Sequence, residues 1–423
     1  MRRAATGSTR DRAERRPKFL AWRRIGIPRA LGLLSVLGTG GAGAEDLFAG
    51  GTGAYAIYRE PVLCVAGDGI VLVFSEGSKK ANPGTERGEV VLRRSEDAGR
   101  TWSEESPVRV ASGPESRETG PAPSQAVWGP VCVTGDARGG GVHLLYTSGG
   151  GKQLFHTVSA DAGRSWGPPV EITGVLAETP FPWTEILTGP GQGIARTDGA
   201  LLAPLTLQRS GLRHEILEID AGRYRALVLM RRPGRARWEP SRLVGPWLRH
   251  LREGSLADVG PHQILYHLKG TELGGRAESR SADGGRTWRR PELIKDLDCA
   301  DFRGGLVRLP GEELPALLLS GSTVAPKAEL VEAGSEAEQA NSQSTEDTGL
   351  PAGKLFLGGW ISGRPGTLRT RVLEEEGVGA SDLAATANGD VLCVFERVDG
   401  GLQGSVGIRM VSRAEIQSLV TGR

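Results

Sequence analysis

The sequence predicts an all-β protein made of a repeated strand-and-turn unit, and three observations support this. An eight-residue phrase, Ser-x-Asp-x-Gly-x-Ser/Thr-Trp, occurs at residues 95–102, 159–166 and 281–288. The 423 residues include 63 Gly and 25 Pro, dispersed as in a chain with many short turns. Short apolar runs such as residues 70–74 and 391–395 indicate buried strands, and strong amphipathic helices are hard to find.

The repeated phrase has the composition of a tight hairpin turn. Its Asp, such as Asp97, offers a short acceptor for backbone amides, and its Gly tolerates the positive φ of such a turn. Its Trp carries a large apolar surface that has to be buried beside the turn. The first copy follows a strand-like run at residues 89–92. Three copies therefore predict a repeated β unit in which the phrase joins two strands as a rigid clasp.

The phrase resembles the Asp box of sialidases and related six-bladed β-propellers. The resemblance implies an all-β, six-bladed β-propeller with Asp-box hairpins over residues 45–423. In that family the box lies on the turn between the outer strands of a blade, away from the substrate. We therefore expect Asp97, Asp161 and Asp283 to be structural residues rather than catalytic acids.

Residues 1–44 have the features of an export signal with a basic leader. Residues 1–29 carry ten Arg or Lys and two acids, so the net charge of +2 leaves a balance of −6 on the remainder. A short apolar run and an Ala-x-Ala site at 42–44 follow. The sequence predicts an exported protein (periplasmic, secreted or at the cell surface), with an uncleaved leader as an alternative tether. The acidic remainder disfavours nucleic-acid binding, and no integral membrane domain is expected.

The four cysteines stand far apart in the sequence, at Cys64, Cys132, Cys299 and Cys393. None belongs to a CxxC pair, so a zinc site is not expected, and neither is another metal or a cofactor. Three of them lie in strand-like apolar runs. Buried free thiols are therefore favoured over disulfides, although an exported protein would allow a bridge.

The first strand of the predicted propeller reads Tyr-Arg-Glu-Pro-Val-Leu over residues 58–63. It resembles the Tyr-Arg-Ile-Pro-x-Leu opening of sialidases, where the Arg is the first of three that clamp the substrate carboxylate. The planar fork of an arginine can donate two parallel hydrogen bonds to a carboxylate. The resemblance therefore implies a substrate-binding role for Arg59. Glu60 departs from the pattern, because the family has an apolar residue there.

The loop after the second strand departs further from the family. Between Phe74 and Arg93 the family places a second Arg and its acid/base Asp. Here Ser78 stands where that Arg belongs, and the loop contains no Asp. By register Glu86 is the closest substitute, so it is the candidate acid, with a solvated loop glutamate as the alternative.

Two further residues match the family by position. Glu253 falls where sialidases set a Glu beside their nucleophilic Tyr. Arg276, five residues before the third Asp box, falls where they keep a clamp arginine. The resemblance implies a catalytic role for Glu253 and a substrate-binding role for Arg276. The alternative for both is an ordinary surface charge.

The C-terminal part of the chain supplies the remaining candidates. Lys354 lies where the family expects its third clamp Arg, and Lys keeps the charge but loses the fork. Glu396 matches the glutamate that braces the first clamp arginine. Ala380 falls where the nucleophilic Tyr belongs. Residues 324–353 form an acidic, Ser/Gln/Glu-rich insertion without an apolar period, which predicts a loosely held loop.

Three functional hypotheses remain open on this sequence. The first is a divergent exo-sialidase-like hydrolase of sialylated or other carboxylated glycans, with Glu253 and Glu86 as catalytic residues. The second is a propeller that binds acidic glycans without cutting them. The third is a purely structural propeller. A retaining or inverting hydrolase needs a suitably spaced carboxyl pair, so such a pair at the channel mouth would favour the first hypothesis.

Overall fold

The computed structural model describes residues 44–66, 69–79, 88–108, 128–134, 141–148, 151–188, 191–209, 224–248, 250–270, 273, 275–294, 297, 303–309, 316–323, 353–361, 368–399 and 403–422. The candidate acid Glu86, residues 1–43 of the predicted leader, residues 324–352 of the predicted insertion and Cys299 lie outside these ranges. Of Cys132 only the backbone is described.

The strands form antiparallel sheets of about four strands each. After β1 (Glu45–Phe48), the first sheet contains β2 (Ile57–Ala66), β3 (Ile70–Ser78), β4 (Glu89–Ser95) and β5 (Ser106–Pro107). The second sheet contains β6 (Trp128–Thr134), β7 (Val142–Ser148), β8 (Gln153–Ser159) and β9 (Val170–Glu171). A 3₁₀ turn (Thr173–Leu176) leads on to the third sheet.

The third and fourth sheets follow in chain order. The third sheet contains β10 (Glu185–Leu187), β12 (Ile194–Ala195), β13 (Leu201–Gln208), β14 (Tyr224–Arg231) and β15 (Trp238–Pro240). The short β11 (Gly191–Gln192) leaves this path and lies parallel to β6. The fourth sheet contains β16 (Leu251–Gly260), β17 (Gln263–Gly270), β18 (Gly275–Ser281) and β19 (Glu292–Leu293).

The last strands form a seven-stranded sheet that includes the N-terminal strand. In chain order they are β20 (Leu306–Arg308), β21 (Ala316–Ser322), β22 (Gly353–Ile361), β23 (Arg369–Ala385), β24 (Val391–Asp399) and β25 (Gln403–Val411). In the sheet they follow one another in this order, and β1 adds beyond β25. One helix, α1 (Arg413–Thr421), follows; a Ser412/Glu415 capping box starts it, and the sequence did not predict it.

Alternating side chains of each strand enter two different cores, which makes the arrangement propeller-like. In β3, Val71 and Val73 pack against strands of the seven-stranded sheet, whereas Leu72 and Phe74 pack against the second sheet. Side chains on a strand point alternately to its two faces, so each sheet is buried on both sides. This explains the continuous apolar runs in the sequence. The all-β, propeller-like fold predicted from the sequence is confirmed.

The three Asp boxes are tight turns between the third and fourth strands of the first, second and fourth sheets. In the first box, Asp97 Oδ1 accepts the N–H groups of Arg100 (3.0 Å) and Thr101 (2.8 Å), and Ser95 Oγ accepts the Gly99 N–H (2.8 Å). Asp161 and Asp283 accept from their own turns in the same way. These bonds hold the pKa of Asp97 below its usual range. The boxes are clasps, as predicted.

Each box also joins its sheet to a neighbouring sheet. The left-handed glycine of each box lies over a leucine: Gly99 over Leu392, Gly163 over Leu72, and Gly285 over Leu202. All three leucines belong to the preceding sheet around the ring. Trp102, Trp166 and Trp288 pack against the adjoining cores but are half-buried, so the predicted burial of their apolar surface is only partial.

Two cysteines can be followed in the structure. Cys64 and Cys393 are buried free thiols, which confirms the expectation for these two. Burial raises the pKa of the Cys393 thiol. A buried, protonated thiol is a poor nucleophile, so Cys393 is a core residue.

Candidate active site

Four strands carry a β-bulge at the end of the sheets that lies opposite to the Asp boxes. The irregularities lie between Arg59 and Val62 in β2, between Trp128 and Val131 in β6, between Arg252 and Gly254 in β16, and between Val378 and Ser381 in β23. We call this the bulged end, and the opposite end, with the three Asp boxes, the box end. Bulges re-aim side chains and are frequent beside active sites.

Two glutamates in these bulges have a left-handed backbone. Glu60 has φ 58° and Glu253 has φ 45°. The other described non-glycine residues with positive φ lie in turns, two of them in Asp boxes. A side-chain-bearing residue in this region costs about 1–3 kcal/mol, so surrounding contacts have to hold it there. Such strain is concentrated at functional sites, and both glutamates are therefore candidates.

Polar contacts join strands of different sheets in the middle of the ring. The bonds run from Leu63 N–H to Asp382 Oδ2 (2.9 Å), from Ser255 Oγ to Gly304 O (2.9 Å) and from Gln192 Nε2 to Leu383 O (2.5 Å). The partners are far apart in sequence and belong to four different sheets. The bulged ends of these strands therefore converge on one place.

Glu396 ties two of the bulges together. Its Oε1 accepts the N–H of Glu60 (2.6 Å), and its Oε2 accepts the N–H of Ala380 (3.1 Å). Burial raises the pKa of Glu396, while the nearby charges of Arg303 and Arg59 oppose that rise. Arg59 is thus near enough for its charge to act on Glu396, and the bracing of the Arg59 side chain by Glu396 stays a prediction. Glu396 braces the backbone beside Arg59 through these two amide bonds.

Arg303, which the sequence did not single out, lies among the carboxylates at this centre. Its buried guanidinium contacts the Glu60 carboxylate, and its Nε lies 3.8 Å from Glu253 Oε2. The only signal for it in the sequence is the following Gly-Gly pair. A Cβ on Gly304 would clash with the Ser320 carbonyl, so only glycine lets this chain approach so closely.

Asp382 is a second buried carboxyl group at the centre. It accepts the N–H groups of Leu63 (2.9 Å) and Leu383 (2.9 Å). Burial raises its pKa to about 7, although these bonds and the charge of Arg303 oppose the rise. Its Oδ2 joins β23 to β2 and its Oδ1 accepts the N–H of the next residue in β23, which makes Asp382 a structural group beneath the site.

Glu253 is held at its bulge by residues of two sheets. Its N–H donates to Thr206 Oγ1 (3.2 Å) in β13, and its Oε1 lies 3.7 Å from Arg252 Nη1. Glu253 lines a small cavity together with Thr206 and Tyr266. Its side chain is 17% exposed, so solvent and small ligands can reach it.

Three basic residues on successive strands of the fourth sheet form a row beside Glu253. Arg252 in β16 pairs with Lys269 in β17, which pairs with Arg276 in β18. Lys269 and Arg276 are buried. Arg276 Nε donates to His267 Nε2 (3.2 Å), and burial together with Arg276 lowers the pKa of His267. Three positively charged side chains thus lie in one row across this sheet.

Lys354 lies at the bulged end of the seven-stranded sheet, because its neighbour Gly353 pairs with Val378. Its Nζ forms a 2.6 Å ion pair with Glu375, and its side chain is 52% exposed. The structure thus shows an acidic partner for Lys354 on the neighbouring strand. A contact of Lys354 with substrate stays a prediction, as does a shared ligand for Arg59 and Arg276.

Within the described ranges, no cluster of three His, Cys, Asp or Glu residues could hold a metal ion. The same ranges contain no helix long and apolar enough to span a membrane.

Comparison with known proteins places this site in a family. The profile of the BNR repeat-like domain matches residues 70–306, more than half of the chain. The chain belongs to the sialidase superfamily. It is 26% identical to a sialidase of Bacteroides fragilis over 56% of this chain and 44% of that protein. It is 27% identical to Sialidase-3 of Bos taurus over 64% of this chain and 68% of that protein.

Solved structures show the same fold at lower identity. The Hadza microbial sialidase Hz136 matches with a TM-score of 0.66 and 19% identity, over 88% of this chain and 69% of that one. A Trypanosoma rangeli sialidase in complex with sialic acid matches with a TM-score of 0.62 and 14% identity, over 88% of this chain and 59% of that one. The chain thus spans less than half of the Bacteroides relative and about two thirds of Hz136.

This sialidase-superfamily site has no tyrosine at the position where the resemblance implies the nucleophile. Ala380 is there, buried, with its N–H bound to Glu396. The described tyrosine nearest to Glu253 is Tyr266, which lines the same cavity. Its ring packs 5.3 Å from that of Trp288, and complete burial raises its pKa. Tyr266 is a core residue and does not replace the missing nucleophile.

Proposed function

We propose that the protein is a divergent exo-sialidase-type glycoside hydrolase that acts on sialic-acid or similar acidic-sugar glycoconjugates. The observation that carries the proposal is the Glu253 carboxylate, held in a left-handed bulge beside the basic row of Arg252, Lys269 and Arg276. A carboxylate can move the proton that hydrolysis requires, and positive charges next to it attract an acidic sugar.

Two arginines are proposed to hold the substrate carboxylate. Arg276 and Arg59 can each present a planar fork that donates two hydrogen bonds to a carboxylate, and Lys354 would add a third positive charge. Glu396 keeps the backbone beside Arg59 in place through its bond to Glu60. Such a clamp selects sugars that carry a carboxylate over neutral sugars.

Glu253 is proposed to take part directly in the proton transfers. It either removes the proton from the attacking water or gives a proton to the leaving oxygen, with a second carboxyl in the other role. By register the second carboxyl is Glu86. Both roles need a carboxyl group near the scissile bond, and the exposed fraction of Glu253 supports such access.

A non-catalytic acidic-glycan binder is the second candidate. Ala380 supports it, because the residue in the position of the nucleophilic Tyr cannot react. In that case Arg59 and Arg276 would bind the sugar carboxylate, and Glu253 would accept hydrogen bonds from sugar hydroxyls without moving a proton.

We also infer that the propeller has six blades. β23 pairs with β22 through its first part and with β24 from Val378 onward. The seven-stranded sheet then counts as two blades, the second of which is completed by β1. Six apolar cores among the described residues, one between each pair of successive blades, support this count.

An exported location fits this activity, since glycoconjugates are exposed on cell surfaces and on secreted proteins. The features of residues 1–44 support export. Sialylated or other carboxylated glycans are the proposed partners. One structural neighbour was solved in complex with sialic acid.

The experiment is hydrolysis of a fluorogenic sialoside by the purified protein and by Glu253→Gln, with sialic-acid binding measured by calorimetry on both. Hydrolysis that falls at least about 100-fold in Glu253→Gln, with binding retained, supports the hydrolase. If the protein binds sialic acid but does not hydrolyse the sialoside, it is a non-catalytic glycan-binding protein instead. A protein that neither cleaves nor binds contradicts both.

A further inference from the structure

The backbones of Glu60 and Ala380 lie side by side in the structure, although the two residues are far apart in the sequence. Both donate their backbone N–H to the same carboxylate, that of Glu396, at 2.6 Å and 3.1 Å. The two sites of divergence noted in the sequence are therefore neighbours in space. A residue able to react is missing at position 380, and a carboxylate has been gained at position 60, where an apolar residue was expected.

The bulge of β2 directs the Glu60 side chain into this centre. Its φ of 58° is a conformation that residues with a Cβ rarely adopt, and the hydrogen bond from its N–H to Glu396 and the contact with Arg303 hold it. The Glu60 side chain is 32% exposed, compared with 8% for Arg303 beneath it. The carboxylate is thus fixed in direction by Arg303, which covers its Oε2, while part of the Glu60 side chain stays accessible.

The Arg303 guanidinium lies against the Glu60 carboxylate, where its positive charge can offset a negative one. A neighbouring positive charge stabilises a carboxylate relative to the neutral acid. An ionised, directed and accessible carboxylate is the form that glycoside hydrolases use as a nucleophile. Glu60 is therefore better suited to attack a carbon atom than to donate a proton.

Glu253 completes a pair of carboxylates around the same arginine. Its Oε2 lies 3.8 Å from Arg303 Nε, beyond hydrogen-bond distance, so Arg303 constrains Glu253 less than it does Glu60. Both carboxylates contact one guanidinium group, so they are neighbours, as the covalent mechanism of retaining glycosidases requires of its two carboxyl groups, which lie about 5–5.5 Å apart. Glu253 remains free to exchange a proton with a substrate.

We propose that Glu60 is a catalytic residue, the carboxylate nucleophile of this site, with Glu253 as the acid/base. The inference rests on the proposed hydrolase function. In the first step a Glu60 oxygen forms a bond to the anomeric carbon, the glycosidic C–O bond breaks, and Glu253 gives its proton to the leaving oxygen. In the second step water attacks the anomeric carbon, Glu253 takes the water proton, and the ester bond to Glu60 breaks.

The test is covalent trapping with 2,3-difluorosialic acid, followed by mass spectrometry of the intact protein and of its peptides. We expect one sugar adduct per chain on the peptide that contains Glu60, and none in Glu60→Gln. Hydrolysis of a fluorogenic sialoside by Glu60→Gln should fall at least about 100-fold. Glu104→Gln, an exposed residue next to the first Asp box, is the control and should label and cleave like the wild type.

A second variant separates chemistry from folding. Glu60→Gly suits the left-handed backbone, so it should fold, and azide added to it should restore turnover and yield a glycosyl azide. An adduct on another residue, or Glu60→Gln that keeps more than a tenth of the wild-type kcat, overturns the role of Glu60 and leaves the hydrolase proposal standing. A wild-type protein that neither labels nor cleaves overturns both.

Discussion

The box end and the bulged end of the sheets are built from contacts of very different range. In the Asp boxes the hydrogen bonds join residues two to four positions apart, such as Ser95 to Asp97 and Asp97 to Thr101. At the bulged end Glu60 bonds to Glu396, 336 positions away, and Leu63 bonds to Asp382, 319 positions away. One end repeats a local turn three times, and the other assembles once from distant strands.

This difference assigns separate tasks to the two ends. A local turn that packs on the next sheet stabilises the ring and needs no ligand. The bulged end instead contains charged groups, strained glutamates and a buried arginine. Such groups lower the stability of the fold, so their presence indicates a functional site. Substitutions at the box end should therefore reduce stability without changing chemistry, and substitutions at the bulged end should do the reverse.

Trp288→Ala should have the largest effect on stability. Trp288 is half-buried against the core between the third and fourth sheets and stacks on Tyr266. Its loss should lower the free energy of unfolding by about 3 kcal/mol, the lower end for a truncated core aromatic. Urea unfolding measures this, with the exposed Trp247→Ala as control. Equal midpoints for the two variants would contradict the clasp.

Gly285→Ala should come next. Gly285 has φ 93°, and a Cβ there would lie 2.7 Å from Leu202 Cδ2. Backbone strain and overpacking together should cost about 2–3 kcal/mol. Gly234→Ala is the matched control, because Gly234 also has a positive φ but would have open space around its Cβ. If both variants lose the same stability, the box glycine does not clamp the two sheets.

Arg276→Lys tests the bulged end through ligand binding. The charge is kept, but the fork that can bind a carboxylate through two bonds is lost. Binding of sialic acid should weaken by about 2 kcal/mol, the usual value of a hydrogen bond to a charged group. Calorimetry provides the measurement, and Arg289→Lys, an exposed site near the third box, is the control. Unchanged affinity would remove Arg276 from the clamp.

These predictions also show what the sequence could reveal. The boxes were predictable because all their partners lie within eight residues, and Glu253 and Glu396 could be proposed because short motifs surround them. The positions of Arg303 and Glu60 could not be predicted, because they depend on bulges and on contacts between distant strands. The burial of the box tryptophans was overestimated, because composition does not reveal how far a turn projects from the core.

The interface of the second and third sheets should respond to pH. The third sheet has no Asp box at its outer turn, and at this interface His143 and His156 stack, with 2.9 Å between Nδ1 and Nε2. Burial and the nearby charge of Arg231 lower the pKa of His143 to about 4, and burial together with His143 and Arg231 lowers that of His156 to about 3. Both rings are therefore neutral in the folded protein at neutral pH.

The direction of the change in stability with pH follows from the two lowered histidine pKa values. Below pH about 6.5 these two histidines bind protons in the unfolded chain but stay neutral in the folded protein. The free energy of unfolding is therefore highest above that pH and falls as the pH drops toward 4. His156→Gln should flatten this loss in urea titrations between pH 7 and 4, whereas the exposed His262→Asn should not. A His156→Gln profile that keeps the wild-type slope would contradict this account.

The smallest effect is expected from shortening the predicted 324–353 insertion. Thr323 and Lys354 are already hydrogen-bonded across β21 and β22, with 2.9 Å between Thr323 N and Lys354 O. Replacing residues 325–351 by a short Gly/Ser loop should therefore leave the melting temperature and the activity nearly unchanged. A variant that melts much earlier would show that the segment stabilises the propeller.

The most direct test of the central claim, that the bulged end is the site of a sialidase-type hydrolase, is a crystal structure of Glu253→Gln soaked with a sialyl-oligosaccharide. We expect one sugar at the bulged end, with its carboxylate against Arg59 and Arg276 and its anomeric carbon between Glu60 and residue 253. Sugar bound at the box end, or an empty bulged end at saturating ligand, would contradict it.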